Sequence, residues 1–303
     1  MSAEPSPYAA NLAGASKRLG GRIVIEHLDL GVVAGEVTAL LGPNGAGKTT
    51  TAGLLIGRLR PDGGEARLFG LAPTSRAARL RLGVMLQAAS LPETLTVAEQ
   101  VRLFSGYYAE PRPVAESLAL AGLAGLDDRR CQALSGGQQR RLQFALAICG
   151  RPDFLVLDEP TAGLDQEARR AVWSVVRDEA DAGAAVLLTT HHLDEAEALA
   201  DRVLVMNEGR IIADGSPAAI KARVAGSTIR CRTALPLARL AALPAVRRAD
   251  RSGADAVLLS SDATATVRAL LSADAEATAL TIGEATLAEA LIALTTTGMK
   301  EAA

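Results

Sequence analysis

No stretch of this 303-residue chain approaches the roughly 18 consecutive apolar residues that a membrane-spanning helix needs. Any dealing with a membrane is therefore expected to go through a partner. A surplus of charge is also missing: 32 Lys and Arg stand against 34 Asp and Glu, for a net charge of −2. Nucleic-acid binders carry a basic excess, so no nucleic-acid partner is expected. The three cysteines, Cys131, Cys149 and Cys231, are far apart and lack metal-ligand spacing. They read as small apolar residues of a reducing compartment. The first ten residues lack the basic start and apolar run of a secretory signal. The expected location is cytoplasmic. Aromatic side chains are few and vanish after about Val224, which marks a different C-terminal region.

Against these absences stands one dense stretch, Gly42-Pro43-Asn44-Gly45-Ala46-Gly47-Lys48-Thr49-Thr50. It follows the apolar run Val37–Leu41, read as a buried strand, and precedes Thr51–Leu59, read as a helix ended by Arg60-Pro61. A glycine-rich turn between a strand and a helix N-terminus is the setting that the phosphate-binding pattern G-x-x-x-x-G-K-[ST] requires. Glycines let backbone N–H groups converge on an anion, and the helix start adds unpaired N–H groups and a positive dipole end. Lys48 can reach the outer phosphates, and the Thr49 hydroxyl can hold Mg²⁺. The pattern implies a nucleoside triphosphate without saying what work is done with it.

Elsewhere the chain alternates strands and helices. Arg22–Leu30 alternates apolar and polar residues as a half-buried strand does, and residues 1–11 read as a loose tail. Phe154–Leu157 and Ala184–Leu188 are unbroken apolar runs, typical of parallel strands covered on both faces. Gln166–Ala182 reads as a long amphipathic helix, and Val203–Met206 with Arg210–Ala213 as a hairpin. Residues 88–150 read as a helical insert, opened by the capping box Thr96-Val97-Ala98-Glu99. Past Ser216-Pro217, strands at 257–259 and 279–282 and helices at 262–271 and 286–294 make a small module near the lower size for independent stability.

Two further segments carry chemistry. Asp158 and Glu159 end the apolar run from Phe154. Asp158 suits a hold on Mg²⁺, and Glu159 suits a base that orients attacking water. Acidic pairs often end strands merely as solvated turns, but a phosphate loop beside them favours the catalytic reading. Leu134-Ser135-Gly136-Gly137-Gln138 opens a helix, and Ser135 with Gln138 forms a capping box. A cap does not need Gly136 and Gly137, which weaken a helix and clear space for close backbone approach. A second anion site at this helix start accounts for both.

Gly42–Thr49, Leu134–Gln138, Phe154–Glu159 and Ala162-Gly163-Leu164-Asp165 resemble, in order and spacing, the motifs of ABC-transporter ATP-binding subunits over roughly residues 10–220. The resemblance implies an α/β fold: a P-loop nucleotide-binding domain (1–222) with a mixed sheet and a helical subdomain, plus a small C-terminal α+β module (223–303). It implies ATP and Mg²⁺ as cofactors. It casts Gly42–Thr50 as the Walker A loop, Gln87 as the Q-loop glutamine that contacts Mg²⁺ and senses the membrane partner, and Asp158 and Glu159 as Walker B and the catalytic glutamate. Ser135, Gly136, Gly137 and Gln138 become the signature that caps ATP bound to the opposite subunit, Asp165 the D-loop aspartate, and His191, rather than His192, the γ-phosphate switch. Leu19 stands where the family usually stacks an aromatic residue on adenine. Glu284–Leu291 resembles the tail of drug-resistance-type exporter ATPases, without their usual proline and phenylalanine. The expected assembly is a homodimer on a separate multi-span permease at the inner face of the membrane, energising export. A soluble ATPase of the same family acting on ribosomes or DNA is the alternative; a small kinase or GTPase would leave the signature pentapeptide idle.

Overall fold

The computed structural model describes residues 7–87, 91–223, 227–284 and 286–301. The first residues of the expected tail (1–6), the expected start of the helical insert (88–90) and Ala285 lie outside them. The chain divides into two compact units, Met1–Asp214 and Gly215–Ala303. The helix Pro217–Arg223 belongs to the second, so the division lies at the opposite end of this helix from the 222/223 boundary read from the sequence.

Six strands form the central sheet of the first unit. Their spatial order is Leu82–Met85, Phe154–Asp158, Ala185–Thr189, Val37–Leu41, Arg202–Asn207, Arg210–Gly215. The first five run parallel. Period-two alternation divides their side chains between two cores. Leu155, Leu157, Val186 and Leu188 pack with the signature helix and the helices around it. Phe154, Val156, Ala185 and Leu187 face the other way, into a core shared with the phosphate-loop helix and a second sheet. Both faces are therefore apolar, which is why these strands read as unbroken apolar runs. The last two strands are joined through Glu208-Gly209, both at positive φ (46° and 79°), the two-residue turn that suits strand twist.

The second sheet is antiparallel, in the order Arg22–Val33, Tyr8–Leu19, Gly63–Leu68. Its first hairpin turns at Gly20-Gly21 (φ 55° and 80°). Tyr8–Asn11, expected as the end of a loose tail, is the start of a twelve-residue strand, with Ala10 fully buried. Paired on both sides, it gains ladder bonds that its alanine-rich sequence does not advertise.

Helices of the insert pack on one face of the central sheet. Val97–Ser105 is opened by the Thr96–Glu99 capping box. The signature helix spans Gly136–Ile148, and Ser135 caps it. A buried ion pair ties this layer to the helix Gln166–Asp181. Arg112 donates to Glu179, to Glu116 (3.1 Å) and to the Ile148 carbonyl (3.1 Å) at the signature helix C-terminus. Burial pushes the Glu179 carboxyl up, while Arg112 pulls it the other way.

The second unit holds a four-stranded antiparallel sheet, in the order Val246–Ser252, Asp255–Ser260, Ser227–Arg232, Thr278–Glu284. Its core gathers Ile229, Cys231, Leu240, Leu258 and Leu270. Among the described residues, no helix is long and apolar enough to cross a membrane.

Glu179→Ala leaves Arg112 with Glu116 as its remaining carboxylate partner and should lower unfolding free energy by about 1–3 kcal/mol. Replacing Arg112 and Glu179 together by Met and Leu should recover most of that. Urea denaturation checks both; equal losses in the single and double variants would contradict the pairing.

Candidate functional site

The carboxyl ends of parallel strands are where an α/β sheet presents ligand sites, and here four such ends converge. Past Leu41 the chain turns through Gly42, Gly45 and Gly47, at φ 153°, 84° and 108°, before the helix Lys48–Leu55. A Cβ on Gly42 would meet the Met206 carbonyl oxygen at 2.1 Å, and one on Gly47 would meet Ile25 Cδ1 at 2.7 Å. Space as well as dihedral angle thus restricts Gly42 to glycine, and the dihedral angle restricts Gly47. The loop is pinned from outside by Gly209 N–H, which donates to Ala46 O at 2.9 Å.

Lys48 folds back over the loop. Its Nζ donates to the carbonyls of Gly42 (2.7 Å) and Pro43 (3.0 Å). Partial burial holds the Lys48 ammonium below the usual lysine value, although Glu159 and Asp158 act in the opposite sense. Asp158 ends its strand buried, and its Oδ1 accepts from the Thr189 hydroxyl of the adjacent strand. Glu159 follows in the left-handed region at φ 54°, its N–H donating to Thr189 O at 2.9 Å. A non-glycine residue adopts that conformation at a cost. His191 Nδ1 lies 2.6 Å from Glu159 Oε2, within ion-pair range. Oε2 is buried and receives no well-directed hydrogen bond among the described residues.

These groups line one cavity of about 420 Å³, within the range of small-ligand sites. Around it stand Asn44, Gly45, Gly47, Lys48, Thr49, Thr50, Gln87, Asp158, Glu159 and His191 from the expected set, joined by Val24. His192 does not line it; its N–H donates to the Thr190 hydroxyl as the next helix begins. Gly42, Pro43 and Ala46 complete the loop backbone without lining the cavity.

Six expected residues stand elsewhere. Leu19, at the hairpin end, is 42% exposed and outside the lining, and Val24 occupies the wall instead. Ser135 and Gly136 are exposed at the signature helix start, with Gly137 and Gln138 beside them. Ser135 Oγ accepts from Gln138 N–H (3.3 Å), and Gln138 Oε1 from Ser135 N–H (3.0 Å). A Cβ on Gly136 would meet nothing within 4 Å, and one on Gly137 only ordinary contacts at 3.5 Å or more. Nothing among the described residues requires these glycines. Asp165 caps its helix, with Oδ1 accepting from Ala168 N–H at 2.8 Å.

Sequence reasoning missed Val24, Thr189 and above all Arg140. Val24 is one apolar residue in an alternating strand, with no local sign of its place. Arg140 is 9% exposed, a signal visible only in the fold.

Comparison with known proteins decides the family. The ABC transporter family model matches residues 25–162. The chain is 44% identical over 239 residues to the daunorubicin/doxorubicin resistance ATP-binding protein of Streptomyces peucetius, covering 77% of this chain and 72% of the relative. It is 45% identical over 211 residues to a Nod factor export ATP-binding protein I of Burkholderia orbicola, covering 67% and 69%.

The chain belongs to the ABC transporter family.

It is one of that family's ATP-binding, ATP-hydrolysing subunits. Among solved structures, an ATP-binding subunit of an ABC transporter matches with a TM-score of 0.66 at 27% identity, over 71% of this chain and 92% of that one. The fold is also that of a dimeric cassette in a post-hydrolysis state with ADP and phosphate (TM-score 0.63, 23% identity, 68% and 98% coverage). The cavity on the phosphate loop is the candidate site for the nucleotide.

Triphosphate oxygens beside Lys48 favour its charged form and so raise the pKa that burial lowers. MgATP binding should then take up protons at alkaline pH, between the depressed value and the ordinary lysine value. Calorimetry in buffers of different ionisation enthalpy reads this directly. Proton release, or uptake that persists in Lys48→Met, would contradict it.

Proposed function

We propose that this cassette powers an exporter, two copies closing on two ATP molecules beneath a separate multi-span permease at the inner face of the membrane. The observation that carries the dimer is the outward signature. Ser135, Gly136 and Gly137 stand outside the cavity's own lining, and two glycines open a helix where no neighbour among the described residues needs them. A nucleotide phosphate on a second copy is a ligand that needs close approach to helix-start N–H groups. The relatives named for drug resistance and for Nod factor export support the direction of transport. The near balance of charge gives the ribosome- or DNA-acting alternative no specific support.

The residues divide the work as follows. Loop N–H groups from Asn44 to Thr50 and the Lys48 ammonium hold the phosphates. Val24 offers the base an apolar wall in place of an aromatic face; Leu19, the expected cover, lies outside the lining. Thr49, Gln87 and Asp158 present a hydroxyl, an amide oxygen and a carboxylate oxygen. That is the hard-oxygen set Mg²⁺ takes, and it fits, since Thr189 occupies only one oxygen of Asp158. When bound, the ion neutralises charge on the β- and γ-phosphates. Glu159 orients the attacking water and accepts its proton. His191, in contact with Glu159 in this structure, is placed to exchange that contact for the γ-phosphate. Asp165, at the cap following the Walker B turn, takes part in the dimer face.

Glu159→Gln keeps the hydrogen-bonding shape and loses the base. It should bind MgATP as the parent does, accumulate as an ATP-bound dimer, and lose turnover by on the order of 10²–10⁴-fold. Gel filtration with ATP, beside a phosphate-release assay, tests this; a Gln variant that still turns over would sink the role given to Glu159.

A further inference from the structure

Parallel strands lose their ladder partners where they end, and the backbone carbonyls there need new donors. The pairing of Leu82–Met85 with Phe154–Asp158 reaches Met85 opposite Leu157. Beyond that register lie Leu86 and Gln87 on one side, Asp158 and Glu159 on the other. The Arg140 guanidinium enters from the signature helix and takes up all four carbonyls. Nη1 donates to Leu86 O (3.3 Å) and Gln87 O (3.4 Å), and Nη2 donates to Asp158 O (2.5 Å) and Glu159 O. Gln143 Oε1, one turn along the same helix, accepts from Nη1 at 3.0 Å and fixes the side chain's approach. We infer that Arg140 is a positioning residue, which sets Gln87 and Glu159 relative to each other and ties both to the signature helix.

Three features make this more than packing. First, Glu159 sits in a costly left-handed conformation, and Arg140 holds its carbonyl while Thr189 holds its N–H. The arginine thus clamps the strained residue whose carboxylate faces the cavity. Second, a planar fork can bridge two pairs of carbonyls at once, which a point charge such as lysine cannot. Third, its charge is buried without a carboxylate in direct contact among the described residues. Burial disfavours the charged form, and the field of Asp158, Glu159 and Glu195 opposes this. A buried cation bound mainly to carbonyls is an expensive way to fill space, and hydrophobic side chains would do that better. Because the clamp begins on the helix that Ser135 caps, a shift of the signature moves the Q-loop and the general base together.

The inference rests on the proposed ATPase mechanism, and its test separates the two. Turnover of MgATP by the parent, abolished in Glu159→Gln, secures the mechanism on its own. Against that background, Arg140→Met should keep its melting temperature close to the parent's and bind a fluorescent ATP analogue with Kd within about threefold, while kcat falls on the order of 10²-fold, the scale of a small misplacement of reacting groups. Arg140→Lys, which keeps the charge, should recover part of kcat, and it serves alone if the Met variant does not fold. In a Gln87→Ala background the Arg140→Lys loss should shrink, since both act on one unit. Parent-like kcat in Arg140→Lys would overturn the inference. So would losses that appear only in KM or in the folded fraction, or losses strictly additive with Gln87→Ala.

Discussion

Lys48 and two carboxylates face one another across a gap that the sheet itself sets. The ammonium is held by the carbonyls of its own loop, and Asp158 and Glu159 end the strand two places away. Strand spacing is fixed near 4.8 Å by the ladder, so these charges are carried on a rigid comb. The cation suits anionic oxygens and the carboxylates a metal or a water, and Lys48 donates to its own loop carbonyls. The remaining features guard this separation. Gly42 lets the loop pass under Met206, Gly209 pins the loop from outside, Thr189 holds Asp158, and Arg140 with Thr189 holds the strained Glu159.

Much of this was legible because backbone requirements leave residue-level traces. A strand with both faces covered needs apolar residues throughout, and Phe154–Leu157 and Val37–Leu41 show it. An anion loop needs glycine at fixed places, and Gly42, Gly45 and Gly47 supply it. What escaped has physical reasons. The edge strand Val246–Ser252 carries Arg247, Arg248, Asp250 and Arg251, because an exposed edge is charged and shows no apolar run. Ser227–Arg232 buries only Ile229, Cys231 and the small Thr228, too slight an alternation to announce a strand. Tyr8–Asn11 was hidden by its alanines. Within the site, Leu19 and Val24 differ by the direction of one hairpin, which alternation alone does not settle.

The signature shows how a sequence motif can be explained only in part by the fold around it. Ser135 and Gln138 close a capping box, and any helix could use one. The two glycines between them remain unaccounted for by the chain's own contacts, and a cap without them would be more stable. A cassette built this way trades helix stability for access, and access matters only if something arrives. In the proposed dimer, the cavity on the phosphate loop and the open glycines of the signature would be complementary halves of a site that a two-fold pair of chains completes.

That composite site is tested most directly by mixing two inactive chains. One carries Lys48→Ala and an intact signature; the other carries Gly136→Trp and an intact phosphate loop. Each alone should fail to hydrolyse ATP, whereas in the mixed dimer one site unites an intact loop with an intact signature. The account predicts that ATPase activity reappears on mixing and rises with the fraction of mixed dimer. Activity retained by the Gly136→Trp chain alone, or a mixture as inert as its components despite demonstrated mixed dimers, would contradict a nucleotide held between two copies.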